Sequence, residues 1–411
     1  MPLDLPQHSR HPFCEVREDK LLIGGEPVDA LAQRVGRTPF YVYDRAAISS
    51  RIAQLRAALP PAVSIHYAIK ANPMSEVVAH VRPQVDGLDV ASAGEMKIAL
   101  AAGGMPGKMS FAGPGKTEAE LEAAVAAGVM LNVESPRELR LLKEIGARTG
   151  RRPRYALRVN PDFELKSSGM KMAGGPKQFG IDAEAIPALL REVRDWPLDF
   201  VGFHIFSGSQ NLRAEAIAEA QAKALDLAVE LAAHAPAPVR SLNIGGGFGI
   251  PYFPGEQPLD LRAVAQSVAR ISSRTTTLLP HAELVLELGR YLVGEAGFYV
   301  CRVIDRKLSR GSVFLVTDGG LHHHLAASGN FGQVIRKNYP VIVGNRVRGT
   351  EREIASVVGP LCTPLDLLAD RMDLAKADVG DLVVVLQSGA YGFSASPTRF
   401  LGHPEPLELC R

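Results

Sequence analysis

An α/β fold, a (β/α)8 TIM-type barrel followed by a mainly antiparallel β domain, is what this sequence predicts. Three observations carry that expectation. From Phe40 onward, short β-branched apolar runs alternate with amphipathic stretches rich in Ala, Leu and Glu, the pattern of βα units on a parallel sheet. Eight such runs follow one another, and eight strands, each followed by a helix, describe a barrel of roughly 250 residues. After Arg290 the helical pattern gives way to dense strand-like runs separated by turns.

The predicted barrel strands are Ile65 to Lys70, Gly87 to Val90, Met109 to Ala112, Met130 to Val133, Tyr155 to Val159, Phe200 to His204, Ser241 to Ile244 and Leu284 to Leu288. Between them "EAELEAAVAAG" and "SPRELRLLKEIGARTG" read as helices, the second opening on a Ser135/Glu138 capping box and closing at Gly150. A doubly wound open sheet is the alternative, because alternation does not show closure. The barrel is placed at residues 45–290. The runs "GFYVCRVIDRKL", "SVFLVTDGG", "REIASVVGP" and "DLVVVLQSGAYGF" define the β domain, 291–411, joined by the strand-like residues 1–44.

Charge and cysteine content narrow the function. With 46 basic and 44 acidic residues the net charge is +2, which gives no electrostatic reason to expect nucleic acid or an anionic membrane as a partner. Small-molecule chemistry is the default. Cys14, Cys301, Cys362 and Cys410 are scattered without a C-x-x-C pair, as in a reduced cytoplasmic protein. The stretch "MPLDLPQHSRHPF" lacks the pattern of an export signal, and no apolar run reaches the roughly 18 residues of a membrane span.

Barrel chemistry sits at the C-terminal ends of the strands, and Lys70 closes the first one. In "SIHYAIKANP" it is the single charge among small and apolar residues. A desolvated lysine loses its proton more readily, and the neutral amine condenses with aldehydes, so Lys70 is a candidate covalent anchor rather than a surface lysine. In "LNIGGGFGIPY", Gly245, Gly246 and Gly247 follow the seventh strand, where barrels commonly bind phosphate; a sharp turn without ligand is the alternative. In "LELGR", Glu287 stands between apolar residues at the end of the eighth strand, and a buried carboxylate needs a partner. A protonated cofactor ring nitrogen would serve. "GFHIFSGSQ" ends the sixth strand with His204, Phe206 and Ser209, either ring of which could stack on a planar cofactor or be structural.

Two further motifs are set aside. "SFAGPGKTEAEL" approaches a Walker A loop at Gly115, Lys116 and Thr117 but has Ser110 where the first glycine belongs. His322, His323 and His324 are adjacent, and neighbouring strand positions face opposite ways, so a metal is not expected.

Taken in order, "YAIKAN", "DVASAGE", "RVNP", "GGGFGIPY", "ELGR", "GPLCTPLD" and "GAYG" resemble the fold-type III pyridoxal-phosphate-dependent decarboxylases that include the diaminopimelate and ornithine decarboxylases. The resemblance spans nearly the whole chain and is nearest to the exosortase-associated subgroup. It implies a homodimer with pyridoxal 5′-phosphate as cofactor. Lys70 would then hold the cofactor aldehyde, Gly245 to Gly247 the phosphate, and Glu287 the pyridine nitrogen. Gly289, Arg290 and Tyr391 would complete the phosphate side, and Asp89 and Glu95 would support the ring. Cys362, supplied by the partner subunit, would return a proton to the substrate, and Thr363 and Asp366 would lie near it.

Three departures from the family pattern concern specificity. Phe206 stands where a second histidine is usual, Thr363 where an acid follows the cysteine, and Ala326 where an arginine reads a distal carboxylate. A site lacking both charged contacts discriminates differently. The resemblance therefore implies α-decarboxylation of an amino acid or amino-acid-derived substrate, free or carrier-linked, with an altered distal pocket. Racemisation of the alanine racemase type is the alternative within the same chemistry, disfavoured by Glu287, because those racemases typically place an arginine at the pyridine nitrogen. A non-catalytic regulatory homologue is the alternative outside it.

Overall fold

A computed structural model describes residues 7–163, 170–171 and 174–411, and its chain separates into two compact units. One comprises residues 51–249 and 259–289; the other comprises 1–50, 250–258 and 290–411. Ile250 to Pro258 and Arg290 thus group with the β unit, a finer division than one boundary at 290.

The first unit is a closed barrel. Its strands are Val63–Ala68, Gly87–Val90, Met109–Phe111, Met130–Val133, Arg154–Asn160, Asp199–His204, Ser241–Gly246 and Glu283–Leu288. All neighbours pair in parallel, the eighth strand pairs with the first, and the fourth pairs with the fifth, which leaves no edge and excludes the open-sheet alternative. Closure makes the strands nearly continuous apolar runs, because one face meets the helices and the other the barrel interior. Register is specific: Glu287 lies opposite His66, and Ala68 opposite Asp89.

The helices follow local signals. Glu118–Ala127 has a complete capping box: Glu120 N–H donates to Thr117 Oγ1 and the Glu120 carboxylate accepts from Thr117 N–H. At Pro136–Thr149 the box is only half formed. Ser135 Oγ accepts from Glu138 N–H, but the Glu138 side chain accepts instead from Glu134 N–H, and Gly150 ends the helix at φ 66°. The eighth strand is followed only by the four-residue helix Arg290–Val293.

The second unit has a sheet ordered Val341–Val343, Leu382–Val385, Gly297–Ser309, Ser312–Thr317, Arg352–Val358 and Leu367–Ala375. Most pairs are antiparallel; Ser312–Thr317 with Arg352–Val358 is parallel. Phe40–Tyr43 pairs with Gly297–Ser309, which makes the N-terminal segment part of this sheet. Leu21, Ile23, Leu31, Phe40, Val42, Phe298 and Val384 are buried together in its core. No helix among the described residues is long and apolar enough to cross a membrane.

Candidate active site

The first barrel strand ends at Ala68, two residues short of the expected end, and Lys70 lies in the 3-10 turn Ile69–Ala71 that follows. The turn lifts the lysine off the sheet to the rim. Its Nζ stands 3.7 Å from Glu287 Oε1, and 44% of the side chain is exposed, so an incoming molecule can reach it. The ring of Phe206 lies 5.6 Å from the same Nζ.

Glu287, on the eighth strand, is buried beneath this lysine. His204 Nε2, from the end of the sixth strand, is 3.0 Å from Glu287 Oε2, and Asn243 Nδ2 donates to the same oxygen at 3.4 Å. Burial disfavours the carboxylate, yet the His204 hydrogen bond and the charges of Lys70, His204 and Arg158 outweigh it and hold Glu287 well below the usual carboxylate range. The eighth strand therefore presents an anion in a desolvated setting.

The glycine run begins inside the seventh strand. Gly245 and Gly247 have φ of 67° and 72°, where a β-carbon is strained. A β-carbon at Gly245 would stand 2.8 Å from Phe206 Cδ2, and one at Gly246 2.4 Å from Leu288 Cδ2. Side chains are excluded, and bare backbone lines the end of the strand.

Asp89 is buried on the second strand. Its Oδ1 accepts from Ser110 Oγ at 2.5 Å and lies 3.1 Å from His66 Nδ1, while its Oδ2 has no partner among the described residues. Glu95 closes the N-terminus of helix Ala93–Ala101: its Oε2 accepts from Ala91 N–H at 2.7 Å, so the helix engages this carboxylate. Burial raises the Glu95 pKa, against the opposing pull of the Ala91 hydrogen bond and the Lys70 charge. Ser209 lies in a short strand paired with Met170–Lys171.

The near-Walker lysine has a structural role. Lys116 is buried, 3.2 Å from Glu138 Oε1, and donates to the carbonyls of Gly113 and Asn132 at 2.6 and 3.0 Å. It ties the ends of the third and fourth strands to the following helix. His66, Ser110, Asn132, Asn243 and the buried Arg158–Glu134 pair at 2.8 Å were not singled out by motif reading. Polar residues within otherwise apolar strands are the signal that marks them.

The β unit carries the remaining expected residues. Arg290 donates to Tyr252 Oη at 2.9 Å, and its guanidinium lies 5.3 Å from the Tyr252 ring and 4.7 Å from the Tyr391 ring. Burial works against this charge, but the surrounding tyrosines Tyr252, Tyr391 and Tyr339 raise its pKa. Cys362 is exposed, and Thr363 next to it is half-buried.

Asp366 is engaged by the backbone of its own unit. It is buried, and both oxygens are taken by backbone amides, Oδ1 by Leu321 at 2.6 Å and Oδ2 by Leu361 at 2.8 Å. The side chain holds the Cys362 loop. The histidine triplet is buried as well: His323 Nε2 meets the Pro404 carbonyl at 3.0 Å and His324 Nε2 the Ser388 hydroxyl at 2.9 Å. No metal-ligating cluster occurs among the described residues.

An amine above a buried carboxylate, beside side-chain-free backbone at a strand end, suits capture of an anionic aldehyde whose ring nitrogen is protonated. Residues 45–294 match the family model described as the pyridoxal binding domain of pyridoxal-dependent decarboxylases. The L-glutamyl-[BtrI acyl-carrier protein] decarboxylase of Niallia circulans is 38% identical over 93% of this chain and 91% of its own. The diaminopimelate decarboxylase of Aquifex aeolicus is 34% identical over 94% and 89%. Among solved structures, diaminopimelate decarboxylase from M. jannaschii in co-complex with L-lysine superposes with a TM-score of 0.88 at 26% identity, covering 98% of this chain and 93% of the other.

The donor set fits pyridoxal 5′-phosphate: an accessible lysine, an ionised buried carboxylate and a glycine-lined strand end. With its barrel, its β unit and a matching cofactor-domain model over more than half its length, the chain belongs to the pyridoxal-dependent decarboxylases.

Proposed function

We propose that this chain removes the α-carboxylate of an amino-acid-derived substrate whose distal end carries no free charge that the protein reads, a carrier-linked amino acid being the leading case. The observation that carries the decarboxylase reading is Glu287, a buried anion 3.7 Å from the Lys70 amine. Pyridoxal 5′-phosphate, when bound, supplies a conjugated ring that takes up the electron pair of the breaking Cα–carboxylate bond. In this reading Lys70 would hold the cofactor aldehyde through its amine. Glu287, set between His204 and Asn243, would keep the ring nitrogen protonated. Gly245 to Gly247, Gly289, Arg290 and Tyr391 hold the phosphate, and Phe206 offers a stacking face without a hydrogen bond. Asp89, Glu95 and Ser209 belong to the cofactor side, with Glu95 acting through the helix it caps. Cys362, from the partner subunit of a homodimer, holds the proton that returns to Cα.

Thr363 and Ala326 support the distal part of the reading, because neither offers a charge to a distal amine or carboxylate. The Niallia circulans relative, whose name specifies a carrier-linked glutamyl group, supports it further. A carboxylate at position 287 speaks against racemisation, since it strengthens the electron sink.

The test is carbon dioxide release from a panel of free and carrier-linked amino acids, with Lys70→Ala as control. Release from carrier-linked substrates and not from diaminopimelate is expected. Turnover of diaminopimelate would overturn the distal-pocket reading, and racemised substrate without carbon dioxide the reaction itself. After borohydride treatment, the Lys70→Ala protein should carry no covalent cofactor by mass; retained cofactor would remove Lys70 from its role.

A further inference from the structure

Beneath the Lys70 turn, four consecutive barrel strands are joined through buried side chains, of which the proposed function uses Asp89 and leaves the other three without a role. Asn132 Nδ2 on the fourth strand donates to Ser110 Oγ on the third at 3.0 Å, and Ser110 Oγ donates to Asp89 Oδ1 on the second at 2.5 Å. His66 Nδ1 on the first meets that same oxygen at 3.1 Å. All four residues are buried.

The ring of His66 occupies space left by another residue. A β-carbon at Gly87 would stand 2.3 Å from His66 Nε2, 2.4 Å from its Cε1 and 2.6 Å from the Lys108 carbonyl oxygen, so the ring and the neighbouring backbone together leave no room for a side chain. Gly87 is not among the glycines with positive φ, so its backbone does not call for glycine. Glycine is needed there for room. His66 and Gly87, opposite one another in the register, form a matched pair that delivers an imidazole to Asp89.

Two bonds converge on Asp89 Oδ1, while Oδ2 is buried and has no partner among the described residues. A buried carboxylate oxygen is costly unless it accepts a hydrogen bond. Asp89 lies opposite Ala68, the residue before the turn that carries Lys70, and His66 lies opposite Glu287.

We propose that His66 is a positioning residue of the cofactor site: seated over Gly87, it holds Asp89 by one oxygen and so directs the other toward a hydrogen-bond donor of bound pyridoxal 5′-phosphate. The inference rests on the assignment of the cofactor to the Lys70 end of the barrel.

Charged groups face His66 from two strands, Asp89 on the second and Glu283 and Glu287 on the eighth, with Lys108 bound to Glu283 at 2.9 Å. Burial opposes protonation of the ring, and the carboxylates, Asp89 foremost, overcome it and raise its pKa. The hold on Asp89 is therefore charge-assisted through the ordinary histidine range and weakens only as pH rises through the elevated value. Cofactor affinity should step down there.

The test is equilibrium binding of pyridoxal 5′-phosphate to the apoprotein, followed by absorbance across neutral and alkaline pH. His66→Phe, which keeps a ring but no donor, should bind roughly tenfold more weakly at neutral pH, the scale of one charge-assisted hydrogen bond, and should lose the step. Gly87→Ala, which presses on the ring as well as on the Lys108 carbonyl, should reproduce both effects. His66→Gln keeps a donor that does not titrate; it should retain near wild-type affinity at neutral pH without the step, and it carries the test should His66→Phe fail to fold. Wild-type affinity and an intact step in His66→Phe or Gly87→Ala, or an intact step in His66→Gln, would overturn the proposal. Wild-type protein that binds no cofactor would instead overturn the cofactor-site assignment, so the two failures are distinct.

Discussion

Replacing Glu287 by glutamine keeps the volume of the side chain and removes its charge, which isolates electrostatics from packing. Glu287 Oε2 lies 3.0 Å from His204 Nε2 and accepts from Asn243 Nδ2 at 3.4 Å, all three side chains buried, and a polar partner to a buried charged group contributes about 1.5–3 kcal/mol. Lys70 is nearer to solvent, with 44% of its side chain exposed, so its pairing with Glu287 adds only about 0–1 kcal/mol. The apoprotein should lose about 2–3 kcal/mol, a fall in Tm of about 4–12 °C for a domain of the barrel's size. The pH dependence has a definite sign. Because the folded carboxylate lies well below its ordinary value of 4.5, its contribution is present above that value and is lost as pH falls toward the depressed one. Melting curves of wild-type and Glu287→Gln apoprotein should therefore differ at neutral pH and converge in acid. In the loaded enzyme, loss of a preorganised charge should lower kcat by roughly 10²–10³-fold. Equal melting temperatures at neutral pH, or curves that stay parallel into acid, would refute the electrostatic account of Glu287.

Asp366→Ala strands two buried amides, Leu321 and Leu361, and should cost the β unit about 2–5 kcal/mol; Asp366→Asn, which retains one acceptor oxygen, should cost about half. Hydrogen exchange at both amides reads this directly, and unchanged protection would reject the clamp. His322 is buried with both ring nitrogens unpartnered among the described residues, so His322→Leu should stabilise the protein by about 1–2 kcal/mol. Burial, with His403 adding to it, lowers the His322 pKa to about 4 from 6.5. The unfolded chain thus takes up its proton first, and the advantage of the leucine variant should grow as pH falls between those values, as measured by urea unfolding. A destabilised variant would show that His322 has a partner it depends on.

The sequence made the architecture legible at Glu118–Ala127 and the strands around it, because capping residues and apolar periodicity act over a few positions. It also marked Lys70, Glu287 and the glycine run, since a charge among apolar residues or a triple glycine departs visibly from a structural pattern. Asp366 has a structural role that no local pattern shows, because Leu321, distant in sequence, donates its amide to one of the carboxylate oxygens. The exposure of Cys362 is set by its loop, which no local pattern in the sequence specifies. The end of the first strand was misjudged because "YAIK" is apolar enough to extend a strand, whereas the turn at Ile69–Ala71 carries Lys70 to the rim.

What the sequence by itself determined is the set of elements and the chemical types placed at their ends, since both are local properties of side chains and dihedral preferences. Closure of the first strand onto the eighth, and with it the 3.7 Å approach of Lys70 to Glu287, was decided only by tertiary structure. So was the fit of His66 over Gly87, twenty-one positions apart in the chain and opposite one another in the sheet. Register between strands is set by the packing of the whole barrel, and no single segment carries it.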